Sequence, residues 1–249
     1  MRDLRVSDII DEVAMQKCDM LVLAGDIGNP FDTCYAQFIG ECASLLPRVV
    51  VIAGNHEYYN TSGIKMKQVE DQIGHVCGKY ANVVYLNKKA VSVDGIEIIG
   101  AALWTNIPDS CAAAVANGLN DYRLIYNNEG SILRVIDVNS IFQDHLEFIR
   151  RSIIAARLAG RRTLVVTHHV PLNKGTSDPV FEYEGNKTNT AFTTDLNHFL
   201  GKEAVDVWVC GHTHWSFEHN VRGSRVISNQ YGYGRNPHKR YRKGLLIEI

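Results

Sequence analysis

The chain is predicted to be an α/β protein whose later strands run antiparallel, and three observations carry the prediction. Apolar runs at 20–24, 49–53, 163–166 and 205–209 have the length of buried strands and end in Gly or polar residues. Between them, 35–46, 65–79 and 138–158 space their apolar residues at a helical period. Runs at 83–86, 90–93 and 96–103 are parted by a turn at Asn87 and another at Asp94-Gly95, so they read as antiparallel hairpins.

Residues 6–18 carry Val6, Ile9, Ile10, Val13 and Ala14 at helical spacing, with Ser7 or Asp8 as cap, so the chain opens in a helix rather than a strand. The strand at 20–24, the helix at 35–46 and the strand at 49–53 form a β-α-β unit whose polar turns share one edge. After the helix at 65–79 and the hairpin strands, 106–128 loses a clear period and holds Pro108, Gly118 and Asn120-Asp121-Tyr122-Arg123. A loop of this length inside a compact domain is functional or mobile. The amphipathic helix at 138–158 leads into the strand at 163–166, and 174–190 is a second long polar loop rich in Gly, Asn and Thr. A helix at about 194–200 precedes the strand at 205–209, and 225–228 and 245–249 read as closing strands. No internal repeat or low-complexity tract interrupts the pattern.

With 249 residues and 45% apolar content, the chain can fill the core of one large domain, 1–249. A formal net charge of −1 offers no general attraction for nucleic acid or acidic membranes, so extended nucleic-acid binding is not expected and a small anionic substrate must be drawn in locally. No run approaches the ~20 apolar residues of a membrane-spanning helix. Six cysteines lie scattered without C-x-x-C spacing, and no apolar stretch near the start has the form of a signal peptide; reduced thiols and a cytoplasmic location are expected. Oligomeric state leaves no trace in the sequence.

Four short segments concentrate the chemistry: Gly25-Asp26, Gly54-Asn55-His56-Glu57, Thr167-His168-His169-Val170-Pro171 and Gly211-His212-Thr213-His214. Each follows a buried strand, so their polar residues gather at strand carboxyl ends, where α/β proteins build sites. Asp, Asn and several His together are the ligand types of divalent metals. Asp26 alone is equally well a helix cap, and the other three segments are what favour metal binding. His212 and His214, two residues apart in an extended segment, would share one face. Strand continuity favours His168 over His169 as the ligand.

This ordered set resembles the calcineurin-like metallophosphoesterase family, whose blocks run D-x-H, G-D-x-x, G-N-H-E/D, a histidine after a strand, and G-H-x-H. The resemblance covers nearly the whole chain except the first block. The nearest stretch to D-x-H is Ser7-Asp8-Ile9-Ile10, where Ile10 cannot ligate. Met1 falls where the family's first strand has already ended, so a shortened start is expected ahead of a member that has abandoned its second metal. The resemblance implies a four-layer α/β/β/α sandwich of two mixed sheets. It also implies metal-dependent hydrolysis of a phosphomonoester or phosphodiester by a metal-bound hydroxide, attacking in line with no phosphoenzyme. Two divalent ions, manganese, iron, zinc or similar, are implied, with Asp26 bridging, Asn55, His168 and His212 completing one site, and His214 serving the other, which lacks its D-x-H ligands here. His56 would protonate the leaving oxygen, and alignment on Pro171 would put His169 in place of His168. Arg123, in a segment that caps the site in some family members, would contact a phosphate or form a surface salt bridge, and Tyr58 and Tyr59 would wall the substrate pocket or pack. Asn229-Gln230-Tyr231-Gly232-Tyr233 is similar to the family's closing N-P-x-G-Y turn with Gln230 for Pro, and the basic run 238–243 reads as a solvated loop. The competing reading is a catalytically silent binding module on the same fold, against which the retained His56 argues.

Overall fold

The computed structural model describes residues 5–233 and 237–249. Two short helices, α1 (Val6–Ile9) and α2 (Glu12–Lys17), replace the single helix expected over 6–18. Ile10 is extended, and the Asp11 carboxylate accepts from the Ala14 N–H at 2.8 Å, so Asp11 caps a new helix instead of continuing the old one. Then follow β1 (Leu21–Ala24), α3 (Thr33–Leu45), β2 (Val49–Ile52), α4 (Met66–Cys77) and β3 (Val83–Tyr85), each near its predicted place.

These three strands form one sheet, order β1-β2-β3, parallel throughout. The Asn87 turn is therefore not a hairpin: at Lys88, with φ of 47°, the chain leaves this sheet for a second one. There β4 (Lys89–Val93) and β5 (Ile96–Ala101) do form the expected hairpin, because Asp94 and Gly95 both take positive φ, 49° and 80°, as the tightest hairpin turn requires. The second sheet is completed by β6 (Arg162–Thr167), β7 (Val207–Val209), β8 (Phe217–Val221) and β9 (Ser224–Ser228), in the order β4-β5-β6-β7-β9-β8. Its four central strands are parallel and its two edge pairs antiparallel.

Side-chain alternation divides each strand between two cores. Val50, Ile52, Ile98, Leu164, Val166, Val207 and Ile227 form a core with strands of both sheets, which therefore pack face to face. Their neighbours Val49, Val51, Ile99, Val165, Trp208 and Val226 belong to the larger core, with Phe38 and Ile39 of α3, Val69 and Ile73 of α4, and Phe142 and Ile149 of the long helix α7 (Val135–Leu158). The architecture is an α/β/β/α sandwich.

Three sequence expectations need correction. The stretch 106–128 is not structureless: it carries α5 (Asp109–Gly118) and α6 (Asp121–Leu124). α5 escaped notice because its centre is Ala112-Ala113-Ala114, which leaves no apolar period, and only Val115 is buried. The helix expected at 194–200 is a single tight turn, Asn197–Phe199, where Asp195 accepts from the Asn197 N–H. The last residues, 245–249, pair with no strand; Leu245, Ile247 and Ile249 lean on the inter-sheet core. Among the described residues no helix is long and apolar enough to cross a membrane.

Candidate metal centre

The ends of β1, β2, β6 and β7 meet at one edge of the sandwich. After β1, Gly25 takes φ of 90° and Asp26 φ of 58°. Only glycine fits at position 25, since a Cβ there would lie 2.5 Å from Gly54 N and 2.6 Å from His168 Nδ1. The turns after β1 and β2 thus touch, and one side chain binds both. Glu57, 2% exposed, accepts from the N–H groups of Ile27 at 2.6 Å, Gly28 at 3.1 Å, Asp26 at 2.9 Å and Gly54 at 2.6 Å.

Four donor atoms converge above these turns. His168 Nε2 lies 3.1 Å from His212 Nδ1, 3.2 Å from Asn55 Oδ1 and 3.4 Å from Asp26 Oδ1. Donors ~2.0–2.1 Å from one tetrahedral ion would stand about 3.3–3.4 Å apart, so the spacing suits a single divalent cation. Asp26, His168 and His212 together offer the three titratable donors. His168 is oriented by its other nitrogen: Nδ1 donates to the Ala24 carbonyl at 2.8 Å, which turns Nε2 toward the other three donors. His169 is turned away, its Nδ1 3.3 Å from the Ala102 carbonyl and its ring stacked on Trp104.

Electrostatics suit a cation. Burial opposes ionisation of Asp26, but the adjacent His168 and the His56 N–H outweigh it and hold the carboxyl well below its usual range. Burial, then the neighbouring imidazoles, push His212 well below the usual histidine value, keeping it in the neutral form that ligates metal. Burial also lowers His214. Glu57 is driven up to about 7, first by burial and then by the charge of Asp26, against the pull of its backbone donors.

His212 and His214 reach the site by a different backbone from the extended one expected, with φ of 71° and 52°. Gln230 holds that turn. Its Oε1 accepts from His214 N–H at 2.6 Å, and its Nε2 lies 3.0 Å from the Gly211 carbonyl and 3.2 Å from that of Trp215. His214 stands beside the four-donor cluster, half-buried, edge-on to the Tyr233 ring at 4.2 Å. His56 lies at the mouth, Nε2 3.2 Å from the Tyr233 hydroxyl and its ring 4.5 Å from that of Tyr59.

The family model described as calcineurin-like phosphoesterase matches residues 4–216, most of the chain. The chain belongs to the calcineurin-like phosphoesterase family. It is 30% identical over 225 residues to uncharacterized protein L509 of Acanthamoeba polyphaga mimivirus, covering 86% of this chain and 78% of that one. Among solved structures, the phosphopantetheinyl hydrolase PptH from Mycobacterium tuberculosis superposes with a TM-score of 0.60 at 17% identity, covering 87% of this chain and 82% of that one, a likeness of fold.

Of the two expected substrate contacts of this family member, Tyr58 lies elsewhere. Tyr58 is in the core, 2% exposed, against Trp104, with its hydroxyl 3.4 Å from Glu70, so it cannot wall a pocket. Its neighbour Tyr59 is the tyrosine beside the cluster. Arg123 is exposed and binds the end of α5, through the Asn117 carbonyl, and Asn120. Residues without a role in the sequence reading also enter the site. Glu57 and Gln230 hold its turns, Phe192 stacks on His212 at 4.6 Å, and Asp121 accepts from Asn55 Nδ2 at 2.9 Å. Glu57 was within reach as part of the Gly-Asn-His-Glu block; nothing in one sequence links Asp121 to Asn55, 66 positions away.

Proposed function

We propose that this calcineurin-like phosphoesterase hydrolyses a small phosphomonoester or phosphodiester with a divalent cation held by Asp26, Asn55, His168 and His212. The observation that carries the reading is the spacing of 3.1, 3.2 and 3.4 Å from His168 Nε2 to the other three donors, with His168 already oriented by Ala24. A divalent cation there would supply Lewis-acid polarisation of the phosphoryl group. The chain's own contribution is to collect one carboxylate, one amide oxygen and two imidazoles within reach of one cation, which would offset the negative charge a phosphate meets at Asp26. His56, half-buried with its Nε2 against the Tyr233 hydroxyl, would give a proton to the leaving oxygen. A second cation would take His214 with Asp26, at a site that lacks the family's D-x-H ligands in this chain. Manganese is the ion to try first, and mixed oxygen and nitrogen donors also accept iron or zinc. The reading takes the chain as one phosphoesterase domain in which 106–128 is the cap, and its six free cysteines suit a cytoplasmic enzyme.

The test is manganese-dependent hydrolysis of aryl phosphate mono- and diesters by the whole chain. Asp26→Asn and His56→Ala are expected to abolish turnover while circular dichroism and the thermal midpoint stay near wild type. Unchanged turnover in either variant would sink the assignment, and the monoester-to-diester ratio would separate the two substrate classes.

A further inference from the structure

We propose that Asp121, carried by the 106–128 segment, is a positioning residue that locks the Asn55 amide with its oxygen toward the metal donors. The inference rests on the metal site assigned above and goes beyond it by naming what aims one of its ligands. An Asn side chain presents an oxygen on one side and two N–H groups on the other, and only the oxygen can ligate a cation. Which way it points is decided by its hydrogen bonds. Here the amide nitrogen faces acceptors on the side away from the metal donors: Asn55 Nδ2 donates to Asp121 Oδ1 at 2.9 Å and to Tyr59 Oη at 3.0 Å. The Tyr59 hydroxyl in turn donates to the same Asp121 oxygen at 2.5 Å. Asp121 is 3% exposed, so water cannot take over its part. A flipped Asn55 would set its oxygen against the Asp121 oxygen and its N–H groups among the donors, losing on both sides.

The segment that brings Asp121 is itself tied down next to the site. The Leu124 carbonyl accepts from Asn60 N–H at 2.9 Å, and the Tyr126 carbonyl from Met66 N–H at 2.9 Å. The cap thus supplies a fixed second row to the metal site. Through Tyr59, whose ring lies 4.5 Å from that of His56, the same carboxylate also backs the proton-handling histidine.

The test reads metal binding directly, by calorimetric titration of the whole chain with Mn²⁺ and by the visible d–d spectrum of the Co²⁺ form. Asp121→Ala is expected to weaken Mn²⁺ by about 10- to 100-fold, the usual effect of losing an outer-row partner, and to alter the Co²⁺ bands. Asp121→Asn, whose carbonyl oxygen still accepts from both donors, is expected to stay within about 3-fold of wild type. A reversal of the pair guards against a variant that merely fails to fold. Asn55→Asp alone would set two carboxylates against each other and lose Mn²⁺, whereas adding Asp121→Asn returns an N–H to the contact and is expected to restore most of the affinity. A double variant no better than Asn55→Asp, or Asp121→Ala with wild-type affinity and Co²⁺ spectrum, would overturn the role of Asp121 and leave the metal site standing. Absence of Mn²⁺ binding by the wild-type chain would instead overturn the proposed function, and this assignment with it.

Discussion

Glu57→Gln is the substitution most informative about how the site is held. The carboxylate accepts four backbone N–H groups, two on each oxygen: Ile27 and Gly28 on Oε1, Asp26 and Gly54 on Oε2. Glutamine has the same shape but one carbonyl oxygen, so it keeps one pair and turns its own N–H₂ toward the other. Two buried donors then lose their acceptor, at about 1–3 kcal/mol each, while the burial cost and the Asp26 repulsion that push the carboxyl up to about 7 disappear, an offset of up to about 3 kcal/mol at pH 8. The two terms nearly cancel in global stability, so the loss shows where the freed donors stand, in the turns that carry Asp26 and Asn55. Urea unfolding at pH 8, where a carboxylate pushed up to about 7 is mostly ionised, is therefore expected to change little in midpoint at unchanged slope. Since the same two turns carry Asp26 and Asn55, Mn²⁺ affinity, measured by calorimetric titration, is the assay and is expected to fall by about 10- to 100-fold. A Gln variant with wild-type Mn²⁺ affinity would refute the reasoning, because it would mean that the second oxygen contributes nothing that an amide cannot replace.

Two further predictions follow from local geometry. In Gly54→Ala the new Cβ would sit 2.2 Å from Asp26 Oδ1 and 2.7 Å from His168 Cε1, so two donors must move; Mn²⁺ affinity by calorimetry is expected to fall more than about 100-fold, beyond an outer-row loss, and a smaller change would show that the niche is softer than it looks. His145 is buried with Nδ1 accepting from Leu103 N–H at 3.1 Å, and burial, then Lys88, pull it down to about 4, with Asp144 opposing. Because its folded value lies below the ~6.5 of an unfolded chain, its contribution is full above ~6.5 and is lost as pH falls toward 4, up to about 3 kcal/mol in all. His145→Gln, which can still accept from Leu103, is expected to lessen the stability difference between pH 7.5 and pH 5, and urea midpoints that fall as steeply as in wild type would refute the assignment.

The parts of the fold that could be read from the sequence are those where one residue type has one use. Val49-Val50-Val51-Ile52 can only be a strand buried on both faces, and Asp94-Gly95 only a tight hairpin turn. The convergence of Asp26, Asn55, His168 and His212 is legible for the same reason, since Asp, Asn and His after buried strands have few other uses together. What was not legible depended on competition between local and distant partners. Asp11 could extend a helix or cap one, and the carboxylate settled on Ala14. Ala112-Ala113-Ala114 has helix propensity but no face to show. Tyr58 and Tyr59 are indistinguishable in sequence, yet one turns to Trp104 and the other to Asn55 and Asp121. His212 and His214 were placed on one face by assuming an extended chain, and the chain instead bends through two positive φ angles.

Those positive φ angles bear on how the site works. Asp26, His212 and His214 all sit in the left-handed region, which costs a side-chain-bearing residue about 1–3 kcal/mol and persists only where the surroundings impose it. The restraint comes from behind, from groups that do not face the cation: Glu57 takes the Asp26 N–H, Gln230 takes the His214 N–H, and the His168 carbonyl accepts from Gly211 N–H at 2.9 Å. Each bond holds a turn by its backbone and leaves the side-chain donor free. The donors also come from both sheets, Asp26 and Asn55 from the ends of β1 and β2, His168 and His212 from the ends of β6 and β7, with His168 bonded across to Ala24. A cation at that seam would tie the sheets together, adding ~2.7 kcal/mol of stability at a hundred times its dissociation constant. The geometry it finds, however, is set by Glu57, Gln230 and Asp121, so the energy that orders the ligands is drawn from the fold and the affinity of the cation need not supply it.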